Sequence, residues 1–432
     1  MTSTVKPRDA KELASLVQYA AAEGEPLELI GTGTKRGLGR PMQTSLTVDL
    51  SGLAGVIAYE PDELVLTARA GTRLAEIERL LAEQRQELAF EPGDLGPFYG
   101  AEAGGGTLGG VLACNLSGPR RIKAGAARDH FLGFVAVNGR GEEFKAGGRV
   151  VKNVTGYDLC KLIAGSHGTL AAMTEVTLKV LPASEKTRTL LLYGLDDAAA
   201  IRALTEALGS AHDVSGAAHL PAEIARRSAV SYVAAGGKSV TAVRVEGFPA
   251  SVAARAAALA ELLARHGPIE ELHSANSRAF WAELRDATPF ARDRSLAVWR
   301  LSLPPASGPG FTARVQGPLG AQYWYDWGGG LVWLGLPLAG DAGADAGAAI
   351  LRQALAPSGG HATLMRAPDP LRAAVAPFEP ESPGVKRLSA RIKASFDPRG
   401  VLNPGRMVAG DLAGAVADGT AEPALSTVAR TD

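Results

Sequence analysis

The chain has 432 residues, with 45 Lys and Arg against 45 Asp and Glu, so its formal net charge is zero. That excludes a general nucleic-acid binder, which needs a basic excess to displace counterions from phosphates. With 46% hydrophobic and 21% charged residues, the chain can bury a core, and at roughly 150 residues per domain it should form two or three domains.

Residues 9–23 read as an amphipathic helix with Leu13, Leu16, Val17 and Ala20 on one face and Gly24 as its stop. Leu27–Ile30 is a short apolar run leading into GTGTKRGLGRP, and Ser45–Asp49 has strand character. Glu63–Ala70 alternates apolar with polar residues. Thr72–Leu88 then takes helical spacing, with Thr72 as its N-cap. The glycine-rich stretch AGGGTLGGVLACNLSGPRR comes next, with a loop at Gly104–Gly110. FLGFVAVN follows as a strand, and Asn138–Gly139 turns it into a hairpin. A short helix capped by Asp158 and ended by Gly165 precedes a strand at Val176–Val180, and Pro182 marks a boundary. Beyond Thr187 the pattern alternates: TLLLYGL, a helix at 200–209, TAVRVEGF, a helix at 252–266, then WRLSLP and LVWLGLPL. This predicts a compact α+β module. One more helix is expected at 345–356, and residues 409–432 are small and polar without period, as in a tail.

Three glycine-rich bends carry the chemical signal. Gly31-Thr32-Gly33-Thr34-Lys35-Arg36-Gly37 follows an apolar run but lacks the G-x-G-x-x-G spacing and the helix of a nicotinamide site. It reads either as an anion cradle of successive N–H groups or as a plain tight turn. Gly104–Gly110 is dense in glycine at a cost in chain entropy, which a ligand lying against the main chain would explain. A flexible linker is the alternative, though linkers rarely run straight into an apolar stretch such as VLAC. Gly165-Ser-His-Gly168-Thr169, just before a strand, is a third possible contact.

Other chemistries find little support. The seven histidines show neither H-x-H nor H-E-x-x-H spacing, so no metal site is expected, and G-x-S-x-G is absent. Cys114 and Cys160 have neither disulfide-framework nor zinc or iron–sulfur spacing, which fits a reducing compartment. Trp324, Trp327 and Trp333 read as core or interface. No apolar run approaches the ~18 residues of a membrane span, and no secretory signal is read at the N-terminus.

The order of PDELVLTARAGTRLAEI, TLGGVLACNLSGPRR, RDHFLGFVAVNGRGE, VKNVTGYDLCKLIAGSHGTLAAMTEVTLKVLP and FDPRGVLNPGRM resembles the FAD-binding proteins of the vanillyl-alcohol oxidase / p-cresol methylhydroxylase (PCMH) type. Within that group, WRLSLP, YDWGGGLVWL and GGHAT make it most similar to the E-subunit family of bacterial glycolate oxidases. The resemblance runs from about residue 7 to 408. It implies an α+β fold: a PCMH-type FAD-binding domain of two α+β subdomains (1–183), an α+β cap (184–340), a C-terminal segment packing back on both (341–408) and a disordered tail (409–432). Carried over position by position, it implies flavin contacts at Gly31, Thr32, Gly33, Thr34 and Gly37, then at Thr107, Gly109, Gly110, Asn115 and Gly118, and finally at Gly165, Gly168, Thr169 and Val176.

No His, Tyr or Cys matches a covalent flavin tether, so non-covalent FAD is expected. The H-x-G-D-G-N-x-H segment of the homologous catalytic subunit is absent. The resemblance further implies a glycolate-to-glyoxylate complex with that catalytic FAD subunit and an iron–sulfur subunit feeding quinone. Its location would be cytoplasmic, or peripheral on the inner membrane face through partners. A stand-alone 2-hydroxy-acid oxidoreductase and a non-catalytic assembly subunit stay open. A substrate carboxylate would need a cation, for which His361, Arg300 and Arg366 are the candidates.

Overall fold

The computed structural model describes residues 3–149, 156–338, 343 and 345–409. The V-K-N-V-T run at 151–155 and the expected tail from 410 onward lie outside the described residues.

The first unit is a small parallel sheet of β1 (Ser3–Val5), β2 (Leu27–Ile30) and β3 (Leu46–Asp49), in the order β1-β3-β2. The predicted first helix is Ala10–Glu23. Asp9 accepts the Glu12 amide at 2.8 Å, and Gly24 closes the helix in the left-handed region at φ 68°. Leu13, Val17 and Ala20 are buried against the sheet and Leu16 is half-buried.

The second unit is antiparallel. It uses β4 (Val56–Glu60), β5 (Val65–Arg69), β7 (Phe131–Asn138), β8 (Glu143–Gly147) and β9 (Ala171–Lys179), in the order β4-β5-β9-β7-β8. The two-residue strands β6 (Gln86–Glu87) and β10 (Leu181–Pro182) pair beside it. β7 and β9 are apolar on both faces because they hold the centre. The β7–β8 hairpin is turned by Asn138, whose Oδ1 accepts the Arg140 and Glu142 amides at 2.8 and 3.1 Å.

Two local expectations change here. The helix after β5 is Leu74–Glu83, so Thr72 is not its cap. The Thr72 hydroxyl instead donates to Arg69 O at 2.7 Å and accepts the Gly55 amide at 2.9 Å. The glycine-rich stretch is not all loop either. Leu108–Cys114 is a short helix capped by Thr107 and closed by Asn115 at φ 47°. Burial of Leu108, Val111 and Leu112 against the second sheet outweighs the poor helix propensity of Gly109 and Gly110.

From residue 186 the chain builds one eight-stranded antiparallel sheet. Its strands are β11 (Lys186–Tyr193), β12 (Gly216–Leu220), β13 (Val240–Gly247), β14 (Ile269–Leu272), β15 (Leu296–Ser302), β16 (Gln322–Asp326), β17 (Leu331–Pro337) and β18 (His361–Arg366). Their order is β14-β11-β13-β12-β16-β17-β15-β18. One face carries helices Asp197–Gly209, Pro249–Leu263, Gly308–Leu319 and Ala348–Leu355 over a core that includes Trp299 and Phe311. The other face, with Val298, Trp324 and Trp333, closes on the second unit in a continuous core. Trp324 and Trp333 stack there, with centroids 5.5 Å apart. β18 and the helix Pro383–Phe396 were not read from the sequence. The first follows two glycines, and the second leaves Val385 and Leu388 about half exposed, so its apolar stripe is thin.

Ion pairs bolt the eight-stranded sheet to the second unit. Arg244 donates to both Glu91 oxygens at 2.9 and 3.0 Å, and Arg120 reaches Glu246 at 3.0 Å and Glu87 at 2.7 Å. The chain end then returns to the first sheet. The Leu27 amide donates to Val401 O at 2.8 Å, Leu27 O accepts the Asn403 amide at 3.0 Å, and Asn403 Oδ1 accepts the Leu29 amide at 2.7 Å. Buried Asp397 fixes this turn by accepting the Val401 and Leu402 amides at 3.0 and 2.8 Å.

Candidate functional site

A cleft of about 820 Å³ opens where the first and second sheets meet. Three bends converge on it: Gly31–Arg36 after β2, Thr107–Gly110 at the start of the short helix, and His167–Gly168 before β9. Leu29, Ile30, Leu50, Ala171, Ala172 and Met173 give it an apolar end.

The first bend is built from two overlapping turns, Arg36 N to Gly33 O at 3.1 Å and Leu38 N to Lys35 O at 3.0 Å. The carbonyls at its far end are held by two arginines. Arg406 donates to Arg36 O at 3.0 Å and Leu38 O at 3.2 Å, and Arg372 donates to Gly39 O at 2.7 Å. Arg406 is itself anchored on buried Glu28 at 3.0 Å, which also takes Arg36. Among the described residues, the N–H groups of Thr32, Gly33, Thr34 and Lys35 have no hydrogen-bond partner. Successive free N–H groups at one concavity are a nest for an anion.

The bends touch each other closely. A Cβ on Gly31 would stand 2.4 Å from Thr107 Oγ1, and one on Gly109 would stand 2.8 Å from Ala70 Cβ. Thr32 donates to Gly105 O. Gly168 adopts φ 72°, and a Cβ there would meet Asn403 Nδ2 at 2.7 Å. Lys35 crosses this junction. Its ammonium donates to Thr34 Oγ1 at 3.3 Å and lies 3.6 Å from where a Gly110 Cβ would be, over the first turn of the short helix. Among the described residues it makes no ion pair, and burial lowers its pKa. A cation facing free N–H groups and a helix start is an unfavourable arrangement until an anion lies between them. A diphosphate fits that requirement and the apolar end suits a ring, so the residues present fit FAD.

Two further groups line the cleft. Burial and the nearby Arg406 charge push His167 down to about 4, so it is neutral at pH 7, and burial pushes the Cys114 thiol up.

Of the fourteen expected contacts, Gly31, Thr32, Gly33, Thr34, Thr107, Gly109, Gly110 and Gly168 line this cleft. The other six lie elsewhere. Gly165 and Thr169 line a neighbouring hollow of about 1380 Å³ beside the helix Pro383–Phe396. Gly37 packs on the Tyr99 ring. Asn115 accepts the Arg128 amide at 3.1 Å, and Gly118 accepts the Trp327 indole N–H at 3.2 Å. Val176 is a core residue of β9, paired with Ala68 and Phe134. Lys35, Asn403 and Arg406 line the cleft and were not singled out from the sequence, although GTGTKRG and LNPGRM contain them.

Of the three carboxylate candidates, Arg366 is engaged apart from the other two. Arg366 donates to the carbonyls of Phe98 at 3.0 Å, Phe290 at 2.9 Å and Asp293, so it clamps main chain. Arg300 on β15 lies over the Trp327 ring, and His361 begins β18 and is exposed.

Comparison with known proteins bears on this site. Residues 2–147, which contribute the first two bends, match the family described as an FAD binding domain. Glycolate oxidase subunit GlcE of Escherichia coli (strain K12) is 34% identical over 400 residues, covering 93% of this chain and 97% of that protein. Glycolate oxidase subunit GlcD of Bacillus subtilis (strain 168) is 28% identical over 46% of this chain and 41% of its own length. The solved structure of p-cresol methylhydroxylase with substrate bound superimposes with a TM-score of 0.69 at 13% identity, covering 93% and 88% of the two chains, and so shares the fold. The chain belongs to the family of the glycolate oxidase subunit GlcE, FAD-dependent oxidoreductases on the PCMH-type fold.

Proposed function

We propose that this chain binds FAD without a covalent bond and serves as a flavin subunit of a complex that oxidises glycolate to glyoxylate. The carrying observation is the single cleft at which three glycine-rich bends, free main-chain N–H groups and the unpaired Lys35 converge. Gly31–Lys35 and Thr107–Gly110 would hold the diphosphate, and the apolar end at Leu29, Ile30 and Met173 would take a ring. When bound, FAD supplies a hydride acceptor for a 2-hydroxy acid. The chain's own groups bind and orient it: Arg406 and Arg372 fix the shape of the first bend through the carbonyls of Leu38 and Gly39. Non-covalent binding is supported by the absence of a His, Tyr or Cys that matches a flavin tether in the family resemblance.

The partners are a homologous catalytic flavin subunit and an iron–sulfur subunit, with location on the cytoplasmic side, in solution or peripheral to the membrane through those partners. The similarity to subunits of glycolate oxidase supports this reading. We read residues 1–183 as the flavin module, 184–340 as the cap and 341–408 as the segment that closes both.

The test is flavin content. Purified chain should show a flavin absorption band that dithionite bleaches, near one FAD per chain, and acid precipitation should leave the flavin in the supernatant. A colourless protein that also fails to take up added FAD refutes the reading. Flavin retained in the acid pellet refutes its non-covalent part.

A further inference from the structure

Among the described residues, most arginines buried or half-buried at the junction of the two modules bond carboxylates or carbonyl oxygens. Arg120 and Arg244 meet carboxylates, while Arg366, Arg372 and Arg406 meet carbonyl oxygens. Two do not. The guanidinium of Arg121 lies 4.6 Å from the centroid of the Trp327 ring, and that of Arg300 lies 5.0 Å from it. Both side chains are half-buried, and among the described residues neither makes a hydrogen bond or an ion pair. Two cations on one indole repel each other, and the ring face, with Asp326 near Arg300 and Asp129 near Arg121, offsets this in part.

Strand register places further groups beside them. Arg300 stands opposite Thr363, and Ser302 stands opposite His361, on β15 and β18. Residues opposite in antiparallel strands share a face, and so do residues two apart. Arg300, Ser302, Thr363 and His361 therefore point to the same side. Arg300 is also opposite Trp333, whose ring belongs to the core shared with the flavin module. Among the described residues the Ser302 and Thr363 hydroxyls have no partner. His361 is exposed and opens the patch to solvent. Trp327 is fixed beneath it, its indole N–H donating to Gly118 O at 3.2 Å and its amide to Asp326 at 2.7 Å.

We propose that Arg121 and Arg300, on Trp327 and flanked by Ser302, Thr363 and His361, form a binding site for a small carboxylate that also bears a hydroxyl. Forked guanidinium donors match a carboxylate, and free hydroxyls beside them suit an alcohol group. Burial and the Arg121 charge push Arg300 down to about 10, and an anion between the two cations relieves that. The choice of glycolate as probe rests on the functional reading above; the cation pair itself does not depend on the flavin.

The experiment is calorimetric titration of the full chain, FAD-loaded and FAD-free, with glycolate, acetate and inorganic phosphate, read in parallel by tryptophan fluorescence. Saturable glycolate binding, weaker for acetate and phosphate, is expected in both forms. Arg121→Gln and Arg300→Gln should each weaken it about tenfold or more, and Trp327→Phe should remove the fluorescence change. Arg128→Gln, an exposed cation nearby, should leave it within about twofold. Thermal melts identify any variant that fails to fold, and Arg121, at the module edge, keeps the test open if Arg300 proves essential for folding. The proposal is overturned if glycolate does not saturate, if phosphate binds more tightly than glycolate, or if folded Arg121→Gln and Arg300→Gln bind as wild type does. Failure of FAD uptake with intact glycolate binding would sink the flavin reading alone.

Discussion

Lys35 allows the binding argument to be tested by sign rather than by size alone. Its ammonium sits within the cleft, bonded among the described residues only to Thr34 Oγ1 at 3.3 Å, and burial already disfavours its charged form. In the empty protein it is thus a cost: replacing it by glutamine, which is polar, one atom shorter and uncharged, should leave the melting temperature unchanged or raise it. In the loaded protein it faces a phosphate. Two unit charges about 4 Å apart attract by about 4 kcal/mol at an effective dielectric of 20, before the desolvation of both partners is subtracted. A net charge-assisted hydrogen bond of about 1.5–3 kcal/mol remains, which is roughly a 10- to 150-fold change in Kd. Lys35→Gln should therefore weaken FAD binding by that factor in fluorescence-quenching titrations without destabilising the FAD-free chain. If FAD affinity is unchanged, or if the apoprotein melts well below wild type, Lys35 is holding the fold and the diphosphate assignment fails.

Three other outcomes follow from the same geometry. Gly109→Val drives a side chain into Ala70, already 2.8 Å from an ideal Cβ, and should cost about 1–3 kcal/mol together with most FAD retention; denaturant titration and flavin content read both. Arg244→Met removes the bidentate partner of Glu91 and leaves its buried carboxylate with Arg120 alone, so unfolding should cost about 3–5 kcal/mol less; a loss under 1 kcal/mol would show that the bolt is dispensable. Asp326 is fully buried and its carboxyl is pushed up to about 7 by burial, so the folded state holds its proton in a range where the unfolded chain, near 3.9, has lost it. Its contribution to stability is intact below about pH 4, falls as pH rises toward 7 and is flat above. Asp326→Asn should thus gain on wild type between pH 5 and pH 8 in paired thermal melts, and a constant difference across that range contradicts the assignment.

Local structure was largely legible from residue order. The Asp9-capped helix, the Asn138 hairpin, the alternating strands and the glycine-rich bends all rest on interactions among neighbours in the chain, which periodicity, caps and turn residues report directly. Motif order likewise sufficed to point to the family. Other features were decided only by folding. Leu108–Cys114 is helical because its apolar face is covered, not because its glycines favour it. The expected contacts divided between two hollows because their distances depend on how the first sheet, the second sheet and the returning 401–408 segment pack. Arg406 supports a bend some 370 positions earlier, and Arg121 and Arg300 share one tryptophan only because the eight-stranded sheet closes on the second unit. Such groups meet through long-range packing, and a linear pattern, which records spacing along the chain, carries no trace of it.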